Sequence, residues 1–451
     1  MKNRLFAAFL SVLLQASTSL GQASESYILQ NADSLLTDAL NKGIFSGFVI
    51  ISHEGKVIYR KQSGFADWNT KRELNDSTLF NIGSLNKQFT EELIHQLVKE
   101  KKLSYNDPVS RYLDLYPEAT GSKITIRRLL DMKAGLGDYL RDPKFNEIRS
   151  KNFTLADVMK IIKKEPLLFE PGTKKEYSNS GYVVLGAVIE KISGLSYETN
   201  LKNRIAEPLG LKNIYYTKAE KTKQTNRAFG TQIDFEGNKK STDDISNSTP
   251  AGGIYTNRED LLKFVDAKLR NALPSGGNYG AGIFVGGTPL WNSAIYYDEH
   301  IGYTFIIMAN TGTIADEIAK RLVSIIKKEN VAPLDLPFTM TLYNIIREKG
   351  FEYIKTNAET LAEQARVQYD DRFLNFFAYQ FMEAGSKDIA IALFKINVEL
   401  FPNAPNTYDS LAEAFLNAGD NTNAAKYYKL ELQLDPDNPR VKKAIADLES
   451  K

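Results

Sequence analysis

Ser84 and Lys87 are the two residues whose types and spacing best fit covalent catalysis in this chain. They lie in the run Phe80–Thr90, and on a helix a spacing of three places both side chains on one face. An amine one turn away can take the proton of a serine hydroxyl, which is otherwise a weak nucleophile. The chain has three histidines, and none accompanies a second catalytic motif. The spacing therefore predicts a serine nucleophile with a lysine as its base.

The S-x-x-K pattern is short, and it occurs again at Ser324–Lys327. That copy belongs to the amphipathic run Ile314–Lys328, for which a solvated helix surface is expected. The first copy follows a glycine and opens an apolar helical stripe, which consists of Leu85, Phe89, Leu93, Ile94 and Leu97. This context predicts that Ser84 lies at a helix N-terminus, where free N–H groups favour a developing negative charge.

A second polar group, Tyr177 and Asn179, precedes the apolar helical run Val183–Ile192. A phenol near an ammonium can have a lowered pKa and relay protons, and an amide can hold a substrate ester or amide. The pattern recurs at Tyr255–Asn257, where Thr256 is predicted to cap a helix. On these residues alone, a core tyrosine and a helix-capping asparagine remain the alternative.

The composition restricts the classes of function. With 451 residues the chain is longer than one ordinary domain, and its 43% hydrophobic and 25% charged residues are typical of globular proteins. A net charge of +2 gives no indication of nucleic-acid binding. The absence of cysteine excludes disulfides, thiol catalysis and cysteine-bound metals. The sequence has no metal-ligand cluster and no phosphate-binding loop, so it predicts neither a metal nor a cofactor.

Residues 1–23 have the order of features that is typical of a signal peptide. Two basic residues precede the apolar run Leu5–Leu14, and the small residues Gly21 and Ala23 follow it. The run is too short to span a bilayer, and no later apolar stretch is long enough to do so. A buried N-terminal helix is the alternative, but the order of features favours cleavage after Ala23. We therefore expect export to the periplasm or the medium.

Strand patterns occur at both ends of residues 24–333. Phe45–Ser52 and Lys56–Ser63 form a hairpin pattern, while Ala294–Asp298 and Tyr303–Asn310 precede a closing helix. Helical and loop-rich sequence lies between these pairs. The order predicts an antiparallel sheet that both ends of one domain complete.

The sequence of residues 334–451 predicts a separate all-α domain. Five pairs of matching residues are 34 positions apart, the period of tetratricopeptide (TPR) repeats: Ala384-Gly385 with Ala418-Gly419, Ala390 with Ala424, Phe394 with Tyr428, Leu400 with Leu434, and Pro402 with Pro436. A chance pair of amphipathic helices would rarely keep one offset at five places. Such a short TPR-like stack is expected to dock on the first domain or to receive a protein partner.

With these motifs in order, the stretch from about Tyr27 to Lys328 resembles the β-lactamase-related serine hydrolases. That family includes class C β-lactamases, penicillin-binding proteins and serine–lysine esterases. Further segments of family-like sequence are Phe45–Val49, Lys101–Val109, Ile124–Leu130, Glu170–Thr173 and Thr249–Thr256. The resemblance implies an α+β fold, with an antiparallel sheet flanked by helices and a mostly helical domain. The TPR-like tail is similar to an extension that some secreted bacterial members carry.

The resemblance also implies roles for individual residues. Ser84 would be the acylated nucleophile and Lys87 its base or proton partner. Tyr177 would pass the proton to the leaving group and activate the deacylating water, and Asn179 would hold the substrate and Lys87. The backbone N–H groups of Ser84 and Gly287 would form the oxyanion hole.

The third family motif departs from the expected pattern. A lysine or histidine is usual where Phe284 stands, whereas Gly286 and Gly287 keep the glycine-rich character of the substrate-binding strand. Without that cation, β-lactams and peptide C-termini are disfavoured, and neutral esters or amides are favoured.

Two functions follow from these residues. One is a secreted serine hydrolase, esterase-like or amidase-like, that acts on a small or peptide-like substrate through an acyl-enzyme. The other is a catalytically weak or inactive protein that serves as a secreted binding module through its repeats. The presence of Ser84, Lys87, Tyr177 and Asn179 together favours the hydrolase.

Overall fold

The computed structural model describes residues 23–275, 282–288, 290–312 and 314–449. The predicted signal peptide, residues 1–23, lies outside this range except for Ala23. Within the described residues, no helix is both long and apolar enough to cross a membrane. The same residues contain no group of His, Asp and Glu side chains that is placed to hold a metal ion.

The strands along the described chain are β1 (Gly47–His53), β2 (Lys56–Ser63), β3 (Phe65–Asp67), β4 (Arg72–Glu73), β5 (Phe80–Asn81), β6 (Gly230–Ile233), β7 (Lys239–Thr242), β8 (Tyr255–Thr256), β9 (Gly282–Thr288), β10 (Trp291–Asp298) and β11 (Tyr303–Ala309). Five of them form one antiparallel sheet in the order β2-β1-β11-β10-β9. Strands from both ends of the family-like region thus pair with each other, as the sequence predicted.

The helices of the family-like region are α1 (Glu25–Asn41), α2 (Asn86–Lys99), α3 (Glu118–Gly121), α4 (Ile126–Leu130), α5 (Pro143–Arg149), α6 (Leu155–Ile162), α7 (Asn179–Ser193), α8 (Tyr197–Leu201), α9 (Glu207–Leu209), α10 (Lys218–Thr222), α11 (Arg258–Leu269) and α12 (Ile314–Ile326). The helices that follow are α13 (Phe338–Thr356), α14 (Ala358–Gln364), α15 (Phe373–Glu383), α16 (Lys387–Leu400), α17 (Pro405–Ala418), α18 (Asn421–Leu434) and α19 (Pro439–Glu449).

Both faces of the sheet are buried, because β1 alternates its side chains between two cores. Val49 and Ile51 pack with residues of α1 and α12 on one face. Phe48 and Ile50 pack on the other face, in the core that includes α2, α7 and α11. Two-sided burial explains why residues 48–51 of β1 form a continuous apolar run and do not alternate with polar residues.

The C-terminal region is all-helical, which agrees with the fold that the sequence predicted. The repeated Ala-Gly pairs mark helix ends: Gly385 and Gly419 follow α15 and α17 with φ of 88° and 84°. Such left-handed conformations favour glycine. The assignment of these helices to TPR repeats remains a prediction.

The family-like region contacts residues 334–449 at Leu334, whose carbonyl oxygen accepts from Lys42 Nζ (2.6 Å), and it also holds the segment before Leu334 and the helices after it. Arg321 of α12 donates to the carbonyl oxygens of Ala332 (2.8 Å) and Pro333 (2.7 Å) and so fixes the connecting segment. Phe235, in the turn between β6 and β7, inserts between Tyr343 and Phe381, with both ring centroids at 4.8 Å. The hairpin is therefore a docking point for the helical region.

The cap of α11 differs from the predicted one, whereas the second S-x-x-K copy lies on a helix as predicted. The predicted cap Thr256 was wrong, because Thr256 lies in β8 and the side chain of Asn257 accepts the N–H of Asp260 as the cap of α11. The second S-x-x-K copy lies at the end of α12, where the Ser324 hydroxyl donates to Glu329 (3.0 Å). That bond fits the structural role predicted for this copy.

Candidate active site

Ser84 lies in a single 3₁₀ turn, Gly83–Leu85, which leads directly into α2. Gly83 has a φ of 51° and donates its N–H to Asn81 Oδ1 (2.9 Å), so the chain turns sharply after β5. A positive φ is easily adopted by glycine. The turn presents the Ser84 side chain at the helix N-terminus, where the sequence predicted it.

Three side chains of α2 bind three consecutive carbonyl oxygens of the facing segment. Asn86 donates to Thr249 O (2.6 Å), Thr90 to Pro250 O (2.6 Å) and Lys87 to Ala251 O (2.7 Å). All three donors are buried. Because buried polar groups without partners are costly, this pattern fixes both the rotation of α2 and the path of residues 249–251.

The amine of Lys87 has three close oxygen neighbours. Its Nζ lies 2.7 Å from Asn179 Oδ1, 2.7 Å from Ala251 O and 3.0 Å from Ser84 Oγ. The first two oxygens can only accept hydrogen bonds. A neutral amine has two N–H groups for them and one lone pair, which is then directed at the hydroxyl of Ser84. The neutral form is therefore arranged as a base for Ser84.

Burial lowers the pKa of Lys87 to about 7, against the opposing effect of the nearby carboxylates Asp138 and Glu91. The rings of Tyr177 and Tyr182, with centroids at 4.8 and 5.5 Å from Nζ, help to exclude water from the amine. Desolvation disfavours the ammonium form. A substantial fraction of Lys87 is therefore neutral near pH 7.

Tyr177 completes the group around the nucleophile. Its hydroxyl lies 2.6 Å from Ser84 Oγ and donates to Asn179 Oδ1 at 3.3 Å. The expectation of a lowered tyrosine pKa was wrong, because burial raises the pKa of Tyr177 and outweighs the hydrogen bond with Ser84. Tyr177 is thus a phenol that can give a proton. Its side chain is 52% exposed, which leaves the ring accessible to a substrate.

Asp138 determines the orientation of the Asn179 amide. The Nδ2 of Asn179 donates to Asp138 Oδ2 at 2.9 Å. A carboxylate only accepts, so Nδ2 must face Asp138 and Oδ1 must face Lys87. Asn179 is the first residue of α7, and Ser178 caps that helix. The alternative role of Asn179 as a helix cap is therefore wrong.

Strand β9 approaches the Ser84 turn so closely that side chains are excluded. A Cβ on Gly286 would lie 2.5 Å from Ser84 N and 2.4 Å from Ile82 O, and one on Gly83 would lie 2.4 Å from Gly287 N. Real Cβ contacts are not this short. The two glycines let the backbones of Ser84 and Gly287 lie close together in the lining of one cavity.

The cavity at this site has a volume of about 230 Å³. Its lining includes Ser84 and Asn179, the backbone of Gly287, and the side chains of Tyr139, Leu140, Phe145 and Trp291. The structure thus brings together Ser84, Lys87, Tyr177, Asn179 and Gly287 from three separate parts of the chain. Gly286 supports them by contact with the Ser84 turn.

Comparison with known proteins agrees with this arrangement. The family described as Beta-lactamase matches residues 32–325, well over half of the chain. The chain belongs to the beta-lactamase family. It is 32% identical over 238 residues to PbpX of Bacillus subtilis (strain 168), a protein named as penicillin-binding; the match covers 52% of this chain and 58% of PbpX. The chain spans about half the length of the curated relatives it matches.

Solved structures share the beta-lactamase fold with this chain. The octameric penicillin-binding protein homologue from Pyrococcus abyssi has a TM-score of 0.59 at 23% identity, over 71% of this chain and 81% of its own. EstCE1, described as a hydrolase with promiscuous acyltransferase activity, has a TM-score of 0.56 at 22% identity, over 67% of this chain and 98% of its own. At these identities the comparison establishes the fold.

Phe284, the departure from the beta-lactamase family pattern, packs away from the cavity lining. Its ring stacks on Tyr297 at 5.4 Å, and Lys268 Nζ lies 5.7 Å from the ring centroid. Lys268 is itself buried and donates to Gln88. Phe284 is therefore a core contact of β9, and no charge enters the cleft from this position.

Three residues of the candidate site were not predicted from the sequence of this beta-lactamase family member: Asp138, Ala251 and Arg149. Asp138 orients Asn179, the carbonyl of Ala251 holds Lys87, and Arg149 lines the cavity. The sequence of the segment Thr249–Thr256 is family-like, but a hydrogen bond to a backbone carbonyl does not depend on the residue type and so cannot be predicted from it. Asp138 and Arg149 are charged residues in loop-rich sequence, where most such residues are simply solvated.

Proposed function

We propose that the protein is a serine hydrolase that cleaves an ester or amide through an acyl-enzyme on Ser84. The observation that carries this proposal is the contact of Ser84 Oγ with both Lys87 Nζ (3.0 Å) and Tyr177 Oη (2.6 Å). A hydroxyl nucleophile needs a base and a proton donor within hydrogen-bond reach. Both are in place without any movement of the chain.

In the acylation step, neutral Lys87 takes the proton of Ser84 as Oγ forms a bond to the substrate carbonyl carbon. The negative charge that develops on the carbonyl oxygen is held by the N–H groups of Ser84 and Gly287. Tyr177 then donates its proton to the leaving alcohol or amine as the scissile bond breaks. The proton on Lys87 restores the phenol, so the site keeps no net charge.

Deacylation uses the same groups with water as the nucleophile. As the water oxygen attacks the acyl carbon, the water gives a proton to the oxygen of Tyr177 while Tyr177 passes its own proton to neutral Lys87. Lys87 then gives a proton to Ser84 Oγ when the ester bond breaks. Asn179 holds Lys87 throughout, since its Oδ1 is fixed by the bond of its Nδ2 to Asp138.

Esterase-like or amidase-like chemistry fits the site better than action on a β-lactam or a D-alanyl peptide. Those substrates carry a carboxylate that the third family motif usually binds, and Phe284 supplies no charge there. EstCE1 is described as a hydrolase with acyltransferase activity, which fits an ester substrate. The cavity of about 230 Å³ suits a short acyl group.

The proposal is tested with the purified chain and a short-chain 4-nitrophenyl ester. Intact-mass measurement should show one added acyl group in the wild type and none in Ser84→Ala. Tyr177→Phe should slow turnover by about 100-fold, since it removes a general acid. A wild type that is neither acylated nor labelled by a fluorophosphonate would favour the inactive binding module instead.

We further propose that the protein is exported and that residues 334–451 receive a protein partner. The N-terminal order of basic, apolar and small residues supports export. Fusion of residues 1–30 to a phosphatase that is active only outside the cytoplasm tests it: colonies that stay uncoloured would contradict export. Cross-linking of the full chain in its host, with and without residues 334–451, tests the partner.

A further inference from the structure

The cavity at Ser84 has a wall that the proposed reaction does not use. This wall is formed by α5 and by the segment 246–249, with Asn146, Arg149 and Asn247 among its lining residues. Arg149 is the last residue of α5, and its side chain is 48% exposed. The guanidinium is therefore accessible to a molecule that occupies the cavity.

Arg149 dominates the charge of this cavity. Among the described residues that line it, no aspartate or glutamate is present, and Arg149 is the one permanently charged side chain. Its Nη2 donates to Asp244, which does not line the cavity. A guanidinium has five N–H donors on three nitrogens, so an ion pair through one nitrogen still leaves donors for a second anion.

A second, open cavity of about 450 Å³ continues the positive charge beyond Arg149. Lys151, Lys218 and Lys223 line it, without a carboxylate among its described lining residues. Lining residues of the two cavities are in direct contact, because the Lys218 N–H donates to Asn247 Oδ1 at 2.6 Å. Clustered cations raise the local concentration of anionic substrates.

We propose that Arg149 binds an anionic group of the substrate, so that the site acts on esters or amides carrying an oxyanion remote from the scissile carbonyl. This inference rests on the proposed function. The planar fork of a guanidinium matches both carboxylates and phosphates. Arg149 lines the cavity and Phe284 does not, so an anionic group bound by Arg149 lies at the α5 wall and not at the third motif.

The size of the cavity limits the distance between the two groups. Its volume of about 230 Å³ is below the usual range for drug-sized ligands. Apolar side chains of Leu140 and Phe145 line the same cavity as Ser84 and Arg149. A short methylene chain between carbonyl and oxyanion fits this lining.

Binding to the Ser84→Ala variant tests the proposal without any turnover. The probes are glutaric acid monoanilide and its methyl ester, which differ by the anionic charge and one methyl group, with calorimetric titration as the measurement. We expect the acid to bind about 10-fold more tightly than the ester. The phosphonate analogue of the acid distinguishes a phosphate-bearing substrate from a carboxylate-bearing one, according to which of the two binds more tightly.

Two added substitutions make the test specific. Arg149→Gln should bring the acid-to-ester ratio of Kd values close to one, whereas Asp244→Asn should increase the preference for the acid. Arg111→Gln is the matched control, because Arg111 is also an exposed arginine paired with an aspartate, Asp107 (3.0 Å), and lies outside the cavity lining.

An unchanged ratio in Arg149→Gln, or no preference for the acid at all, would overturn the proposal. So would the failure of both probes to bind at millimolar concentration. These results are independent of the proposed function, because Ser84→Ala binds the anilides without cleaving them, and the acylation test uses the wild type. The absence of acylation in the wild type would therefore contradict the proposed hydrolase function without bearing on anion binding by Arg149.

Discussion

Lys87 is suited to the role of base that we propose for it because of where its amine lies. Two acceptors that cannot donate, Asn179 Oδ1 and Ala251 O, occupy its N–H groups, and burial removes the advantage of the charged form. An exposed lysine would be an ammonium at neutral pH and could not accept a proton. The protonation state of this one residue therefore sets the pH range in which Ser84 is reactive.

Acylation should gain rate with rising pH. Burial lowers the pKa of Lys87 to about 7, so the ammonium predominates below that value and the neutral base above it. We expect kcat/KM for a neutral short-chain ester to increase between pH 5.5 and 8.5 with a midpoint near 7. A pH series of initial rates measures it, with circular dichroism at each pH as the control for folding. A flat or falling profile contradicts the role of Lys87.

The substitution Asp138→Asn should move this midpoint to lower pH. The carboxylate of Asp138 favours the ammonium form of Lys87, so its removal lowers the lysine pKa further. The same rate–pH series measures the shift. Asp114→Asn, which removes an exposed carboxylate paired with Lys163, is the control and should leave the midpoint in place. A shift to higher pH in Asp138→Asn would contradict this account.

The grouping of the candidate catalytic side chains could be predicted from the sequence, but their protonation states could not. Ser84, Lys87, Tyr177 and Asn179 belong to short patterns that the family-like context made specific. The raised pKa of Tyr177 depends on burial by residues far away in the chain, and residue type does not report burial. The roles of Asp138 and Arg149 depend equally on contacts that appear only after folding.

At the scale of elements, the site depends on three backbone segments in direct contact. The segment 249–251 binds three side chains of α2, and β9 touches the turn before that helix. Periodicity predicted the β1–β2 hairpin, β10, β11 and α12 well, because their apolar patterns are long. The start of α11 was predicted one residue too early, because Thr256 and Asn257 are both residue types that cap helices. Thr256 pairs with Phe80 between β8 and β5, so Asn257 is the cap.

Gly286→Ala should abolish most activity while all catalytic side chains remain. The added Cβ would lie 2.5 Å from Ser84 N, so β9 and the nucleophile turn must separate and the oxyanion hole opens. We expect kcat/KM for a short ester to fall by at least about 100-fold. Val285→Ala is the matched control, since Val285 is the adjacent, exposed strand residue. Equal activity of the two variants would exclude this role of the glycine.

At the scale of the whole molecule, the C-terminal helices depend on Phe235. Phe235→Ala removes a buried ring between Tyr343 and Phe381, and we expect a loss of about 3 kcal/mol in the stability of the helical region. Scanning calorimetry should show its transition at a lower temperature. Phe376→Ala, at a ring that is 60% exposed, is the control with a smaller shift. Equal shifts would mean that the hairpin does not hold the region.

The division of the chain into a family-like region and an all-helical region could be anticipated from composition and periodicity. The docking between them could not, because Phe235 lies in a turn whose sequence resembles any polar hairpin loop. The ring of Phe235 packs against Tyr343, which is more than 100 positions away in the sequence. Contacts of that kind are specified by the fold and leave no local pattern.

The hairpin that carries Phe235 also has an evolutionary consequence. Recombination that exchanged only the residues after Pro333 would bring in helices that do not fit the ring of Phe235. The incoming helical region would then lack this docking contact. The unit that must be inherited together therefore includes the β6–β7 hairpin, which lies inside the hydrolase-like part of the gene. Homologous chains that exchange their C-terminal regions should change residue 235 at the same time.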